Sequence, residues 1–165
     1  MLTLKKAQPG DIEDVAAIFR RATCDMDAQG IYQWDELYPS KAILKSDIDS
    51  GEMHLVCMDE RVVGFVVLND RQDEEYAQGE WLYSGRAAVV HRLCMDPNCQ
   101  HHGYGKQTML LAEAVLKEQG FEAVRLDAFS QNPHALRLYE SLGYRRAGEI
   151  RFRKGLFHLL EKRLI

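Results

Sequence analysis

From Ala87 to Phe129 the sequence runs AAVVHRLCM, then DPNCQHHGYGKQ, then TMLLAEAVLKEQG, then FEAVRLDAF. The first and last of these segments are short, apolar and bounded by turn residues, so both read as strands. The third carries apolar residues at helical spacing and stops at Gly120. A strand, a helix and a second strand in that order make a crossover, and a crossover joins parallel strands. No other feature narrows the fold so far. Helices and strands intermix elsewhere too, which places the chain in the α/β or α+β class.

The remaining elements follow from the same patterns. LTLKK is a short strand. DIEDVAAIFRRATCDMDAQG is a helix, with Asp11 at its N-cap, Ile12, Val15, Ala16, Ile18 and Phe19 on one face, and Gly30 at its end. The aromatic, proline-containing IYQWDELYP reads as a loop. Ser40 caps a second helix, KAILKSDIDSG. MHLVCM and RVVGFVVL are strands joined by a tight turn at Asp59-Glu60. NDRQDEEYAQGE is polar and reads as a solvated loop. In SQNPHALRLYESLGY, Asn132 is an N-cap, Pro133 suits the first helical position, and Ala135, Leu138 and Leu142 form the apolar face. The segment from Tyr144 to Ile165 gives two strands turning near Lys154-Gly155.

The chain has 165 residues and is 46% hydrophobic, enough for one domain with a sizeable core over residues 1–165. It shows no internal repeat, low-complexity tract or linker. Its 21 Lys and Arg against 25 Asp and Glu give a formal net charge of −4, which argues against nucleic acid as a partner. No apolar run approaches the ~18 residues of a membrane span, and the N-terminus lacks the apolar stretch of a signal peptide. Four cysteines, Cys24, Cys57, Cys94 and Cys99, fit a reduced, cytoplasmic protein.

Three readings compete at the junction DPNCQHHGYGKQ. His91, Cys94, Cys99, His101 and His102 are soft or borderline metal ligands in a short span. Their spacing does not match the paired ligands of a zinc site, and adjacent histidines rarely aim at one ion, so no metal is expected. A nucleotide P-loop fails as well, because Gly103 and Gly105 are too close and Gln107 follows Lys106. An anion cradle fits: the first amides of a helix lack internal partners, carry partial positive charge and are approachable past glycine. An ordinary turn before a helix fits equally well.

VHRLCMDPNCQHHGYGKQTMLLAEAV closely resembles the acetyl-CoA signature of the GNAT family, the Gcn5-related N-acetyltransferases. There an apolar strand ends near Val-Asp-Pro, and Gln/Arg-x-x-Gly-x-Gly/Ala opens a helix. Here that core is Gln100, His101, His102, Gly103, Tyr104 and Gly105. Where the family usually carries Arg or Lys before the first glycine, this chain has two histidines. A second match is Asn132, then Ala135-Leu136-Arg137-Leu138-Tyr139-Glu140, then Leu142-Gly143-Tyr144. The element order agrees from end to end. The resemblance implies a mixed, mostly antiparallel sheet of about seven strands with a central splayed parallel pair, flanked by about four helices. It also implies amide formation by direct attack of a primary amine on the thioester of acetyl-CoA.

The same resemblance distributes the work. The strand edge at Leu93, Cys94 and Met95 would hold the pantetheine arm and polarise the thioester carbonyl. Amides of residues 101–106, with the side chain of Lys106 at the rim, would bind the pyrophosphate. Asn132 would face the cofactor. Tyr139, seven residues on and about two turns along the same helix side, would protonate the departing sulfur. His91, Asp127 or a water chain would take the amine's proton. In the aromatic loop, Trp34 and Tyr38 would close over the acceptor, with Asp35 or Glu36 attracting its charge, or would plug the core. Trp81 and Tyr83 invite the same two readings. The acceptor would be a small-molecule amine or a peptide N-terminus, and a homodimer through the C-terminal strands is among the family's habits. Two other readings stay open: a CoA-binding sensor without turnover, and transfer of a longer acyl chain.

Overall fold

The computed structural model describes residues 1–100 and 102–164. Seven strands, β1 (Leu2–Lys6), β2 (Met53–Met58), β3 (Arg61–Asn69), β4 (Ala87–Met95), β5 (Ala123–Phe129), β6 (Arg145–Phe152) and β7 (Gly155–Arg163), are hydrogen-bonded in the order β1-β2-β3-β4-β5-β7-β6. Four α-helices accompany them among the described residues: α1 (Ile12–Ala28), α2 (Lys41–Asp49), α3 (Tyr104–Glu118) and α4 (Pro133–Ser141). This is the mixed α/β architecture that the crossover and the family resemblance imply, and β4 and β5 form the parallel pair.

Contacts gather the chain into two compact units. The first holds Met1–Leu68 and His91–Leu111. In it β1 pairs antiparallel with β2 and β2 with β3, with a bulge at Val56/Cys57. One core lies between the sheet and two helices. Val15, Ile18, Phe19 and Ala22 of α1 and Leu44 and Ile48 of α2 pack on Met53, Leu55, Phe65, Val67 and Cys94. The helix faces match the sequence periodicity because burial of apolar area is what holds a helix against a sheet. A smaller cluster joins Leu2, Val56, Val63 and Cys99 to Tyr104 and Leu111 at the start of α3. Ser40 caps α2 as the sequence indicates, its hydroxyl accepting from the Ile43 amide at 3.2 Å.

The second unit holds Asn69–Val90 and the chain from Ala112 on. The parallel ladder pairs Ala87 with Ala123, Ala88 with Val124 and Val89 with Arg125. Antiparallel β7 then joins β5 to β6. Buried Ala88, Val89, Leu116, Val124, Leu126, Phe129, Ile150 and Leu159 make its core. The polar stretch after β3 departs from the solvated loop that its composition suggests. Glu74–Gln78 winds into a short 3-10 helix and Tyr76 is only 1% exposed. Its hydroxyl has a partner on β5, and a single aromatic buried by tertiary packing leaves no periodic trace in sequence.

Gly64 on β3 shows how closely the strands approach in the first unit. A Cβ there would stand 2.5 Å from the carbonyl oxygen of Cys94 and 2.9 Å from the Met95 side chain. Backbone cannot yield as a flexible side chain would, so Gly64→Ala is expected to destabilise the fold by about 1–3 kcal/mol, the usual range for overpacking. Urea denaturation of the two proteins checks this, and equal midpoints would show that the strand pair has slack.

Candidate functional site

In the first unit the candidate cofactor groups follow one another along β4, a turn and α3. The turn is pinned by a carboxylate. Asp96, 4% exposed, accepts from the Arg21 guanidinium on α1 through both oxygens, at 2.7 and 3.3 Å, and from the Asn98 amide at 3.0 Å. These bonds cap the short 3-10 helix Pro97–Cys99. The Arg21 guanidinium holds the Asp96 carboxyl below the usual carboxylate range, since hydrogen bonds to the charged form favour it. The chain then reaches Gly103 at φ +73°, a left-handed conformation that glycine adopts without steric cost. Its carbonyl accepts the Gln107 amide at 3.1 Å, so the helix starts immediately after it.

Among the described residues, a Cβ placed on Gly103 would meet only the Gln107 side-chain nitrogen, 4.0 Å away. Gln100, His102, Gly103 and Lys106 are exposed, and Tyr104 and Gly105 half-buried. The His102 ring stacks on Tyr104 with centroids 5.2 Å apart, and Tyr104 packs on the small cluster below it. An exposed helix N-terminus, opened by a glycine, suits an anion such as a diphosphate. His101 falls outside the described residues.

On β4, Leu93 and Met95 are half-buried and Cys94 is buried. Burial pushes the Cys94 thiol up, so it stays protonated and acts as a small hydrophobe. His91 is half-buried on the same strand. Between them Arg92 adopts φ +48°, which is unusual for a residue with a side chain and costs of order 1–3 kcal/mol. Its guanidinium donates to both oxygens of Asp47 on α2, each at 2.8 Å, and to the Tyr38 hydroxyl at 2.9 Å. The Arg92 and Asp47 side chains are 10% and 5% exposed.

The two aromatic candidates of the loop differ in burial. Trp34 is a core residue, packed with its ring centroid 5.6 Å from that of Phe19. Tyr38 is 47% exposed, with its hydroxyl on Arg92. Asp35 shapes the loop, accepting the Leu37 and Tyr38 amides at 2.9 and 3.2 Å.

In the second unit three candidates cluster at β5 and α4. Asn132 is the N-cap of α4, its side-chain oxygen accepting the Ala135 amide at 3.1 Å. Tyr139 is buried within the helix, and its ring meets Tyr144 edge-on at 5.6 Å. Burial raises its phenol pKa, and the charge of Asp127 raises it further. Asp127 is half-buried on β5 and accepts a 2.6 Å hydrogen bond from Tyr76. Trp81 donates to the Tyr76 carbonyl at 2.7 Å and carries the Arg125 guanidinium over its ring. Tyr144 and Lys162 both donate to Glu113, at 2.9 and 2.7 Å, which fixes the wall behind Tyr139.

Sequence reasoning missed Tyr76, the Arg21–Asp96 pair and the Arg92–Asp47 pair. The signal for the last was present: an arginine inside an apolar strand must find a carboxylate when buried. The sequence does not say which of 25 carboxylates that is. Among the described residues, no group of three or more His, Cys, Asp and Glu side chains is arranged to hold a metal ion.

The sequence pattern of the acetyltransferase (GNAT) family matches residues 14–144. A mycothiol acetyltransferase of Thermomonospora curvata is 30% identical over 150 residues, 88% of this chain and 44% of that protein. The chain thus spans less than half the length of that relative. A GNAT-family acetyltransferase of Streptococcus agalactiae superposes with a TM-score of 0.86 at 18% identity, covering 98% of this chain and 95% of its own. The PaiA N-acetyltransferase of Thermoplasma acidophilum, solved in complex with coenzyme A, superposes with a TM-score of 0.74 at 20% identity over 99% of both chains.

The Asp96 geometry has a pH signature. A carboxyl with a depressed folded-state pKa contributes stability above its unfolded value of about 3.9, and loses it as pH falls through the folded value. Arg21→Met should therefore cost about 1–2 kcal/mol at pH 7, discounted for the partly exposed guanidinium. The difference from the parent should shrink as pH falls below about 4. Denaturation series across that range measure it; a gap independent of pH would mean that packing, not charge, holds the turn.

Proposed function

The chain belongs to the acetyltransferase (GNAT) family, and on that premise we propose an acetyl-CoA-dependent N-acetyltransferase that acts on the primary amine of a small molecule or peptide. The observation that carries the cofactor assignment is the start of α3. There Gly103, in the left-handed region and uncrowded by the other described residues, leads straight into the helix. We assign residues 1–165 to one catalytic domain that works in the cytoplasm without a metal ion. The four free thiols suit a reducing compartment.

Acetyl-CoA, when bound, supplies the thioester that donates the acetyl group. The amides of residues 101–106 hold its diphosphate, with Lys106 and His102 adding donors at the rim. Main-chain groups of Leu93, Cys94 and Met95 hold the pantetheine arm and polarise the thioester carbonyl. Asn132, already a helix cap, is assigned to the same arm on the family motif. Tyr139 gives the proton from its Oη to the leaving sulfur. The phenol carries its proton at neutral pH, as an acid requires, and the burial that raises its pKa makes it a weaker donor than a solvated tyrosine. Asp127, held by the Tyr76 hydroxyl, takes the amine's proton, with His91 as the alternative acceptor. On the loop, exposed Tyr38 contacts the acceptor, while Trp34 supports the loop from within the core.

Two measurements test this reading. Calorimetry should show coenzyme A binding, and an amine panel should release free thiol from acetyl-CoA. Tyr139→Phe should lower kcat by about 10²–10⁴-fold, the usual worth of a placed proton donor, while coenzyme A still binds. Binding without thiol release from any amine would favour a CoA sensor, and no binding at millimolar ligand would end the acetyl-CoA reading. A second prediction concerns the base. Asp127→Asn should lower kcat/KM for the amine, and equal loss in His91→Ala instead would move the role to the histidine.

A further inference from the structure

The geometry points to Arg92 as a positioning residue for acetyl transfer. Clamped by Asp47 and the Tyr38 hydroxyl, it holds β4 in the bend that aims the main chain of Leu93, Cys94 and Met95, and it couples the acceptor loop to that strand. The inference deepens the acetyl-CoA reading and rests on it.

The bend is local and unusual. Among the described residues, Arg92 and Asp59 are the two non-glycine residues with positive φ, and Asp59 sits in the β2–β3 turn, where a left-handed residue is ordinary. Arg92 instead lies inside a strand, one residue before the segment assigned to the thioester. A single left-handed residue in extended chain redirects the amides and carbonyls that follow it. Glycine would occupy that conformation freely, whereas arginine persists there only if its side chain is held.

The holders are rigid. Asp47 lies on α2 between Leu44 and Ile48, both buried in the core with Trp34 and Phe19. Its carbonyl accepts from the Ser50 hydroxyl and the Glu52 amide, so the end of the helix is tied down too. Two parallel N–H···O bonds to one carboxylate fix the plane of the guanidinium, which a lysine could not do. Tyr38 supplies the third contact. Its loop is anchored on one side by Trp34 in the core and on the other by the Ser40 cap of α2. A shift of the loop is therefore felt at Arg92, one residue from Leu93.

A merely stabilising ion pair and a positioning one are separated by the double variants Asp47→Asn/Arg92→Gln and Asp47→Asn/Arg92→Gly. Both remove the charge pair, but only glycine accepts the left-handed conformation without a side-chain clamp. For the folded proteins, kcat/KM for acetyl-CoA should fall about 10- to 100-fold in the glutamine variant, the scale of a misaligned reacting centre. The glycine variant should recover most of that loss despite having fewer contacts. Tyr38→Phe, which leaves the buried pair intact, should raise the KM for acetyl-CoA about 2- to 10-fold, the worth of one hydrogen bond, with only a small fall in its thermal midpoint. This variant carries the test if the double variants do not fold. Parental kinetics in the folded variants, or a glycine variant no better than the glutamine one, would overturn the positioning role while leaving the acetyl-CoA reading intact. Parent protein that neither binds coenzyme A nor releases thiol would overturn both.

Discussion

The first unit depends on what β4 does at its C-terminal end. The strand is packed so closely against β3 that Gly64 leaves no room for a side chain beside the Cys94 carbonyl. Two residues later the buried Asp96 draws Arg21 from α1 and caps the turn that leads into α3. Remove the close approach and the strand end moves; remove the carboxylate and the turn loses its anchor. The start of α3 follows directly on this turn, and the first amides of a helix lack intrahelical partners.

Charge is used sparingly and in defined places. Asp47 and Asp96 are the buried aspartates of the first unit, and each meets an arginine through two hydrogen bonds. The Arg92–Asp47 pair is buried on both sides, so desolvation offsets much of its attraction, whereas the Arg21 guanidinium is partly exposed. Both bracket β4: Arg92 pairs within the strand and Asp96 immediately after it. In the second unit Tyr76 and Tyr139 bring phenols toward Asp127. The two phenols have different work. Tyr76 donates to the carboxylate, while burial and the charge of Asp127 raise the pKa of Tyr139.

Much of the molecule was legible residue by residue. The apolar faces of α1 and α4, the Ser40 and Asn132 caps and the hairpin turn at Asp59 all rest on interactions between near neighbours in sequence, and the β4–α3–β5 crossover follows from the order of elements read that way. Helical spacing, side-chain capping and the short reach of a turn are local physics, and they leave local patterns. The candidate anion site was legible for the same reason, since glycine and helix start are adjacent. The family motif favours the cradle over the ordinary turn, two readings that the residues alone left open.

The sequence by itself therefore determined the elements, their order, the parallel pair and the family to which they belong. Tertiary structure alone decided which carboxylate meets which arginine, that Trp34 is core while Tyr38 reaches solvent, and that Tyr76 in a polar stretch is buried on Asp127. It also decided the left-handed turn at Arg92, which no propensity would assign to an arginine within a strand. These are pairings across 54, 45, 51 and 75 residues. A hydrogen bond at that separation is set by where the folded backbone brings two side chains, and no local pattern encodes it.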